Sequence, residues 1–361
     1  MVEVTKYDTN NQFSWTEKTQ TFDYVTGELT QDYVLFDNGL TSTDIYANGV
    51  RTIGILEDVA VDGGLFNWAN KWTQYDETGA VIGVGIEYDN NVIQEDTYEY
   101  GVLLNSVRVD RLGDAEIWTR FDLMYGLDGQ LVTKIIQFDD GIVRVQNFAE
   151  GSRTSTFDYD NPNEAGSGVK AWDRIETYFD ATGQKSERAT FYDNGIIKVQ
   201  QYTEGQLTQL LQYDEADAAS WDRIETTFSR SAGSVTKTTL TVGDDGVERV
   251  DVREDGKRAS LVEIDASADG TARKWETNAR QYDEAGQLAQ QRITFDNTDQ
   301  FVFLYADRAK TQKVEFDGDD SNAWVYRVTD YTADGPVVTT YDPGDAATPP
   351  EIIALFDDLG F

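Results

Sequence analysis

The stretch YDNGIIKVQQYTEGQ, residues 192–206, decides the fold because it places two glycine turns ten residues apart. An aromatic residue precedes each turn, at Tyr192 and Tyr202. Asp-Asn-Gly between two β-rich runs is a strong hairpin signal, since glycine adopts a positive φ at little steric cost. The stretch therefore predicts a short strand held between two tight turns.

The same pattern recurs along the chain about every fifty residues. Seven of the eight tryptophans mark it, 49 to 54 residues apart: Trp15, Trp68, Trp118, Trp172, Trp221, Trp275 and Trp324. Seven residues after each of these lies another aromatic residue, and a glycine follows four or five residues later. Self-similarity at a fixed period is the signature of a repeat architecture.

Each repeat is predicted to contain four short strands, which in the fourth repeat read WDRIETYF, KSERATFY, IIKVQQY and LTQLLQY. The links between them hold only a few residues, which suits antiparallel neighbours and is too short for parallel crossovers. The sequence thus predicts an all-β fold, a single elongated repeat array over residues 1–361. Its units are approximately 15–67, 68–117, 118–171, 172–220, 221–274, 275–323 and 324–361, preceded by a partial unit 1–14.

A seven-bladed β-propeller is the alternative, because four strands in about fifty residues is also the size of a propeller blade. In that arrangement EIIALF, residues 351–356, would form a third strand of the last unit, and the N-terminal VEVTKY would close the ring. Hydrophobicity favours the open array. Strands such as IVRVQNF carry polar residues on both faces, whereas stacked blades bury both.

The composition excludes several function classes. Sixty-six acidic against 30 basic residues give a net charge of −36, which repels nucleic acid and anionic membrane surfaces. The absence of cysteine and histidine removes thiolate chemistry and the commonest general base, so we expect no enzyme. No apolar run approaches the roughly 20 residues of a membrane span. The N-terminus lacks the features of a signal peptide, which leaves a cytosolic chain, a processed fragment or export by another route.

The turns carry a resemblance to known repeats. YDETGAV, YDEAGQL and FDATGQK resemble the YD repeat of bacterial cell-surface and polymorphic-toxin proteins, and DNGLTSTDIYANG resembles MORN-like hairpins. The whole unit resembles the acidic repeat regions of secreted RTX-type and adhesin-like proteins, although the glycine-rich calcium nonapeptide of RTX rolls is absent. The resemblance implies an extracellular or cell-surface location and a structural or adhesive role.

Two kinds of candidate site emerge. Trp72 lies outside the tryptophan register, so it is the aromatic residue that we assign to ligand binding, whereas the seven periodic tryptophans are assigned to packing. Calcium prefers several oxygen ligands from a short loop, which makes FDYDNPNE and FDGDDSN its candidates. Their ligands would be Asp158, Asp160, Asn163 and Glu164 in the first and Asp317, Asp319, Asp320 and Asn322 in the second.

The function predicted from these features is a structural or adhesive repeat segment of a secreted or surface-exposed bacterial protein. The first alternative is a module that binds polysaccharide or a cell-surface glycan through exposed aromatic residues and acidic loops. The second is an enzyme acting on polysaccharide, which would need a pair of carboxylates that the sequence does not single out.

Overall fold

The computed structural model describes residues 1–59, 66–112, 116–160, 170–267, 273–342 and 350–357. It divides into two compact units, Met1–Lys185 and Ser186–Phe361. The described residues form 27 β-strands and one α-helix, which confirms the all-β fold.

The first unit holds the partial repeat and the first three repeats, together with the first strand of the fourth. Its strands are β1 (Val2–Tyr7), β2 (Trp15–Phe22), β3 (Leu29–Phe36), β4 (Leu40–Ala47), β5 (Val50–Asp58), β6 (Trp68–Tyr75), β7 (Val81–Tyr88), β8 (Val92–Glu99), β9 (Val102–Asp110), β10 (Trp118–Tyr125), β11 (Leu131–Phe138), β12 (Ile142–Ala149), β13 (Ser152–Asp160) and β14 (Trp172–Phe179).

The second unit holds the remaining strands and the helix. They are β15 (Lys185–Tyr192), β16 (Ile196–Thr203), β17 (Gln206–Asp214), β18 (Trp221–Ser231), β19 (Ser234–Gly243), β20 (Val247–Glu254), β21 (Lys257–Asp265), β22 (Trp275–Tyr282), β23 (Leu288–Phe295), β24 (Gln300–Ala306), β25 (Ala309–Phe316), β26 (Tyr326–Thr332), β27 (Gly335–Tyr341) and α1 (Pro350–Asp357).

Within each unit, every strand pairs antiparallel with the next strand along the chain. The fourth strand of one repeat bonds to the first strand of the following repeat, as β5 does to β6 and β17 does to β18. Within each unit, the repeats therefore extend an open sheet edge to edge. The propeller alternative is wrong, because propeller blades are separate sheets that stack face to face.

Both ends of the proposed ring differ from the propeller prediction. EIIALF lies in helix α1 and forms no third strand, because its apolar residues follow a helical spacing and Pro350 suits the first helical position. Strand β1 pairs with β2, from Val2 opposite Phe22 to Tyr7 opposite Glu17. It thus takes the place of a fourth strand before the first tryptophan.

The turns form as their residue types predict. Gly195 and Gly205 have φ values of 80° and 74°, the left-handed region that glycine tolerates best. In the YD-type turn after β14, the Asp180 carboxylate accepts the backbone N–H groups of Thr182 and Gln184 at 2.9 and 3.0 Å. Aspartate and glycine together fix this turn.

The sheet is a single layer over most of the described residues, because the substantial contacts between strands join sequence neighbours. Most strand residues are consequently half-buried. Only Val247, Val302 and Val314 are fully buried among the large side chains described. The thin core follows from the sequence, in which few strands are apolar on both faces.

Strands β24–β27 of the sixth and last repeats are the exception, because helix α1 covers one face of them. Ile352 is buried in a cluster with Val302, Val314 and Val328, and Leu355 and Phe356 pack against this cluster. Ile352, Leu355 and Phe356 share one helix face, while Ile353 is 40% exposed. The helix therefore supplies the second layer that the other described strands lack.

We expect the stability of the fold to fall in acid below about pH 4, because hydrogen-bonded aspartates must then be protonated. Six turn and junction aspartates have a pKa below the usual value, lowered chiefly by a backbone N–H for Asp8, Asp23 and Asp214 and by a hydroxyl for Asp76, Asp180 and Asp265. A lowered pKa means that the charged form is favoured in the folded state. Its contribution is complete above the unfolded value of about 3.9 and disappears as the pH falls through the lowered pKa.

Urea unfolding followed between pH 7 and pH 3 measures this effect. The one opposing aspartate among those with a resolved shift is Asp244, whose pKa is raised by desolvation and then by the neighbouring charges of Asp222, Asp217 and Asp214. Protonation of Asp244 stabilises the folded state, but the six aspartates above and others, such as Asp255 and Asp319, act in the other direction. A urea midpoint at pH 3 equal to or above that at pH 5 would contradict the prediction.

Candidate functional site

An aspartate at the end of each fourth strand organises the junction between repeats. In all seven junctions its carboxylate accepts the backbone N–H of the residue two positions before the periodic tryptophan. The pairs are Asp8–Phe13 (2.7 Å), Asp58–Phe66 (3.3 Å), Asp110–Glu116 (3.0 Å), Asp160–Lys170 (3.0 Å), Asp214–Ala219 (2.5 Å), Asp265–Arg273 (2.8 Å) and Asp317–Asn322 (2.7 Å).

These contacts assign a structural role to the junction aspartates. The intervening loops differ in length, yet each junction reaches the tryptophan through the same hydrogen bond. Sequence analysis missed this role because the distance from aspartate to tryptophan varies. The available signal was the Asp that ends every fourth strand.

The first predicted calcium cluster contains one carboxylate that is already neutralised by a cation. Arg144 donates from Nε to Asp158 at 2.6 Å, and this hydrogen bond raises the pKa of Arg144. Asp160 is the junction aspartate of its repeat. Asn163 and Glu164 lie outside the described residues, so calcium binding at FDYDNPNE stays a prediction.

The second predicted cluster gains a carboxylate that sequence analysis did not select. Oxygens of Asp299, Asp317 and Asp319 all lie within 4.8 Å of one another. Asp317 is only 3% exposed, whereas Asp319 is at the surface. Asp299 comes from the second turn of the sixth repeat, where DNTD replaces DNG plus an apolar residue.

Strand register explains why Asp299 meets Asp317. Gln300 lies opposite Phe316, which places the preceding residue, Asp299, beside the junction aspartate Asp317. In five other repeats this position is apolar: Leu40, Val92, Ile142, Ile196 and Val247. Like charges on adjacent strands repel each other, and a bound cation would remove the repulsion.

Hydrogen bonds order this acidic cluster. Asn297 donates from Nδ2 to Asp299 at 3.0 Å and to Asp319 at 3.2 Å. Bonds from the Ser321 hydroxyl and backbone lower the pKa of Asp319, which keeps that carboxylate charged. Of the other predicted ligands, Asp320 has a φ of 55° and Asn322 contributes its backbone N–H to Asp317.

We expect millimolar calcium to raise the melting temperature of the wild-type protein if this cluster holds the ion. A ligand that binds only the folded state stabilises it by mass action. Asp299→Leu restores the apolar residue of the other repeats and should abolish the calcium-dependent rise while keeping the junction bond of Asp317. An identical melting temperature with calcium and with excess chelator would exclude the ion from this cluster.

Trp72 lies on strand β6 in the second repeat, beside two glycines of strand β7. Trp72 is opposite Gly85 and Gln74 is opposite Gly83, while Gly85 and Gly83 face Glu95 and Thr97 of β8. Directly opposed residues share one face of a sheet, so these four side chains flank a strip of bare backbone. A groove of about 340 Å³ lies there, lined by Trp72, Gln74, Gly83, Glu95, Thr97 and other residues of β7 and β8.

A larger cavity of about 480 Å³ lies in the third repeat, lined by Ile117, Phe138, Asp140 and Arg144, among others. Two of its charged groups are engaged within the protein, because Lys170 pairs with Asp140 at 3.1 Å and Arg144 lies over the Phe138 ring. The groove beside Trp72 therefore offers the more accessible polar groups.

Comparison with known proteins gives no family assignment. No protein-family model matches the chain, and no curated protein is significantly similar to it. Among the described residues, no helix has the length and apolar character needed to span a membrane.

Solved structures give remote likenesses. A crystal structure of TcdB2-TccC3-Cdc42 is 10% identical with a TM-score of 0.19, and the match covers 90% of this chain and 18% of that chain. TcdB2-TccC3-TEV gives the same values. A porin-like protein from Bacteroides uniformis is 8% identical with a TM-score of 0.14, covering 83% of this chain and 94% of that chain. TM-scores this low establish neither a shared fold nor a shared function.

The chain is a repeat protein of antiparallel hairpins, in which the YD-type motifs form the turns between the first and second strands. It spans less than a fifth of the TcdB2-TccC3 chain that it matches.

Proposed function

We propose that the chain is a structural repeat segment of a secreted or surface-exposed bacterial protein, with an adhesive role. Support comes from the resemblance of its turns to YD repeats of cell-surface proteins and from its lack of cysteine and histidine. The proposal includes no catalytic step.

The observation that carries this proposal is the invariance of the repeat junction. Seven junctions use the same aspartate bond, although their loops differ in length and sequence. Selection for one geometry at every junction is what a segment needs when its task is to continue a sheet. The side chains on the two faces are then free to vary.

The charge of the chain fits an exposed segment. A net charge of −36 keeps a thin sheet with many half-buried apolar residues from associating through its faces. The same negative charge repels nucleic acid, whose backbone is rich in phosphate. This repulsion is consistent with a protein that contacts surfaces outside the cell.

Immunolabelling of intact cells of the source organism tests the location. Antibodies raised against the purified chain are expected to label unpermeabilised cells, and added protease should remove the label without lysis. Labelling that appears only after permeabilisation would overturn the proposal.

The second candidate function is binding of polysaccharide, and the groove beside Trp72 is the observation that favours it. An aromatic surface next to exposed amide, carboxylate and hydroxyl groups is the usual combination for holding a small polar ligand. Screening of the purified chain on immobilised glycans tests this candidate independently of its location.

A further inference from the structure

We propose that the groove beside Trp72 binds a pyranose ring of an uncharged polysaccharide. This inference rests on the second candidate function above and names its site and ligand class. It starts from the one place in the described repeats where two glycines interrupt a strand next to a tryptophan.

Gly83 and Gly85 distinguish the second repeat from its neighbours. In the other described pairings of first and second strands, the position of Gly85 holds Tyr33, Ile135, Leu240, Arg292 or Thr339. The position of Gly83 holds Gln31, Thr133, Thr238, Gln290 or Val337. Glycine weakens a strand interior and often marks a close approach of a ligand or another backbone.

Packing accounts for one of these glycines. A Cβ atom at Gly85 would collide with the indole of Trp72, so Gly85 is the residue on which the indole rests. Aromatic residues commonly cover a glycine in a neighbouring strand, and this contact is a purely structural arrangement.

Gly83 has no such explanation. A Cβ atom there would meet only the flexible side chain of Gln74, with the nearest atom, Oε1, at 3.1 Å. The Gln74 side chain therefore covers part of the space above Gly83, and it must shift before a larger residue or a ligand can contact this glycine in the floor of the groove. Threonine occupies this position in the third and fifth repeats, so we expect the strand to accept it, with its side chain displacing Gln74 into the groove.

The walls of the groove match the two sides of a sugar ring. The indole of Trp72 offers an apolar aromatic surface for the C–H groups of a pyranose. Gln74, Glu95 and Thr97 are exposed, and together they supply both hydrogen-bond donors and acceptors for hydroxyl groups. A volume of about 340 Å³ lies at the small end of ligand sites, which fits one or two rings.

The negative charge of the groove favours uncharged over anionic polysaccharides. Glu95 lines the groove, which contains no Lys or Arg among its lining residues, and the chain as a whole carries −36. Carboxylated and sulfated polysaccharides would be repelled, since no cation is there to pair with them. An uncharged chain can still donate its hydroxyl protons to the Glu95 carboxylate.

Affinity electrophoresis or calorimetry with soluble glucans, mannans and galactans tests the proposal, with alginate and dextran sulfate as the anionic arm. We expect at least one neutral polysaccharide to bind the wild-type chain and both anionic ones to bind at least about tenfold more weakly. Trp72→Ala and Gly83→Thr should each weaken binding by about tenfold or more.

Two variants keep the result interpretable. Gly83→Thr copies the residue of other repeats and leaves Trp72 in place, so it separates a filled groove from a damaged fold. Tyr24→Ala removes an aromatic residue that is 79% exposed in a turn of the first repeat, and it should bind like the wild type. Circular dichroism and melting temperature confirm that each variant is folded.

Three results would overturn the groove as the site. They are no binding of any neutral polysaccharide, binding that Gly83→Thr and Trp72→Ala leave unchanged, and tighter binding of the anionic arm. None of these results would affect the outcome of the immunolabelling experiment, so the structural proposal would stand or fall separately.

Discussion

Ile352→Ala is expected to lower the local unfolding free energy of strands β24–β27 by about 2–4 kcal/mol, the usual cost of truncating a buried isoleucine. Ile352 is 6% exposed and packs in the only described cluster of buried hydrophobic residues, with Val302, Val314 and Val328. Because α1 covers a sheet that otherwise has one layer, no other described element can fill the cavity. The loss of unfolding free energy should therefore lie near the upper end of this range, about 4 kcal/mol.

Amide hydrogen exchange measures this loss where it occurs. Protection should fall across β24–β27 and stay nearly constant in β18–β20, because repeat proteins couple mainly to their nearest neighbours. Ile353→Ala is the matched control, since this neighbouring isoleucine is 40% exposed and should cost less than about 1 kcal/mol. Equal effects of the two variants would show that α1 does not pack as described.

Glu315→Ala is expected to cost about 2 kcal/mol, because it leaves two cations without their shared buried partner. Glu315 is 3% exposed and accepts hydrogen bonds from Arg327 at 2.5 and 2.6 Å and from Lys313 at 2.7 Å. Burial alone would raise the pKa of Glu315, but the bonds from Arg327 and Lys313 outweigh it and lower the pKa. Both cations keep contact with solvent, which holds the cost below that of a fully buried pair.

Urea unfolding of Glu315→Ala and Glu315→Gln separates charge from shape. Gln keeps the volume and one acceptor oxygen, so it should recover part of the loss. Glu254→Ala, a change at an exposed glutamate on β20, should alter stability by less than about 0.5 kcal/mol. A wild-type midpoint for Glu315→Ala would mean that solvent already screens the pair.

The strands and turns were predictable because their signals are local. WDRIETYF and KSERATFY coincide with β14 and β15, and the Asp-Asn-Gly turn after β15 has its glycine at a positive φ. Alternating side chains and turn residues act over a few positions, which is the range that a single sequence displays. The preference for an open array over a propeller followed from the polar residues on both faces of the strands.

Four features needed the folded chain. The helical spacing of EIIALF is too short to exclude a strand from sequence, and the helix is stabilised by its packing on Val302 and Val314. Asp299 joins Asp317 only through the pairing of β24 with β25, and the junction aspartates reach their N–H partners across loops of unequal length. Trp72 was selected from sequence, but the glycine floor of its groove lies on another strand.

The sequence by itself determined the period, the four strands of each repeat and the chemistry of the turns, since each depends on neighbouring residues and on the φ that glycine allows. Only the tertiary structure decided that repeats join edge to edge through an aspartate, that α1 covers strands β24–β27, and which side chains share a face. Those outcomes depend on cross-strand register, in which a shift of one residue moves a side chain to the opposite face of the sheet.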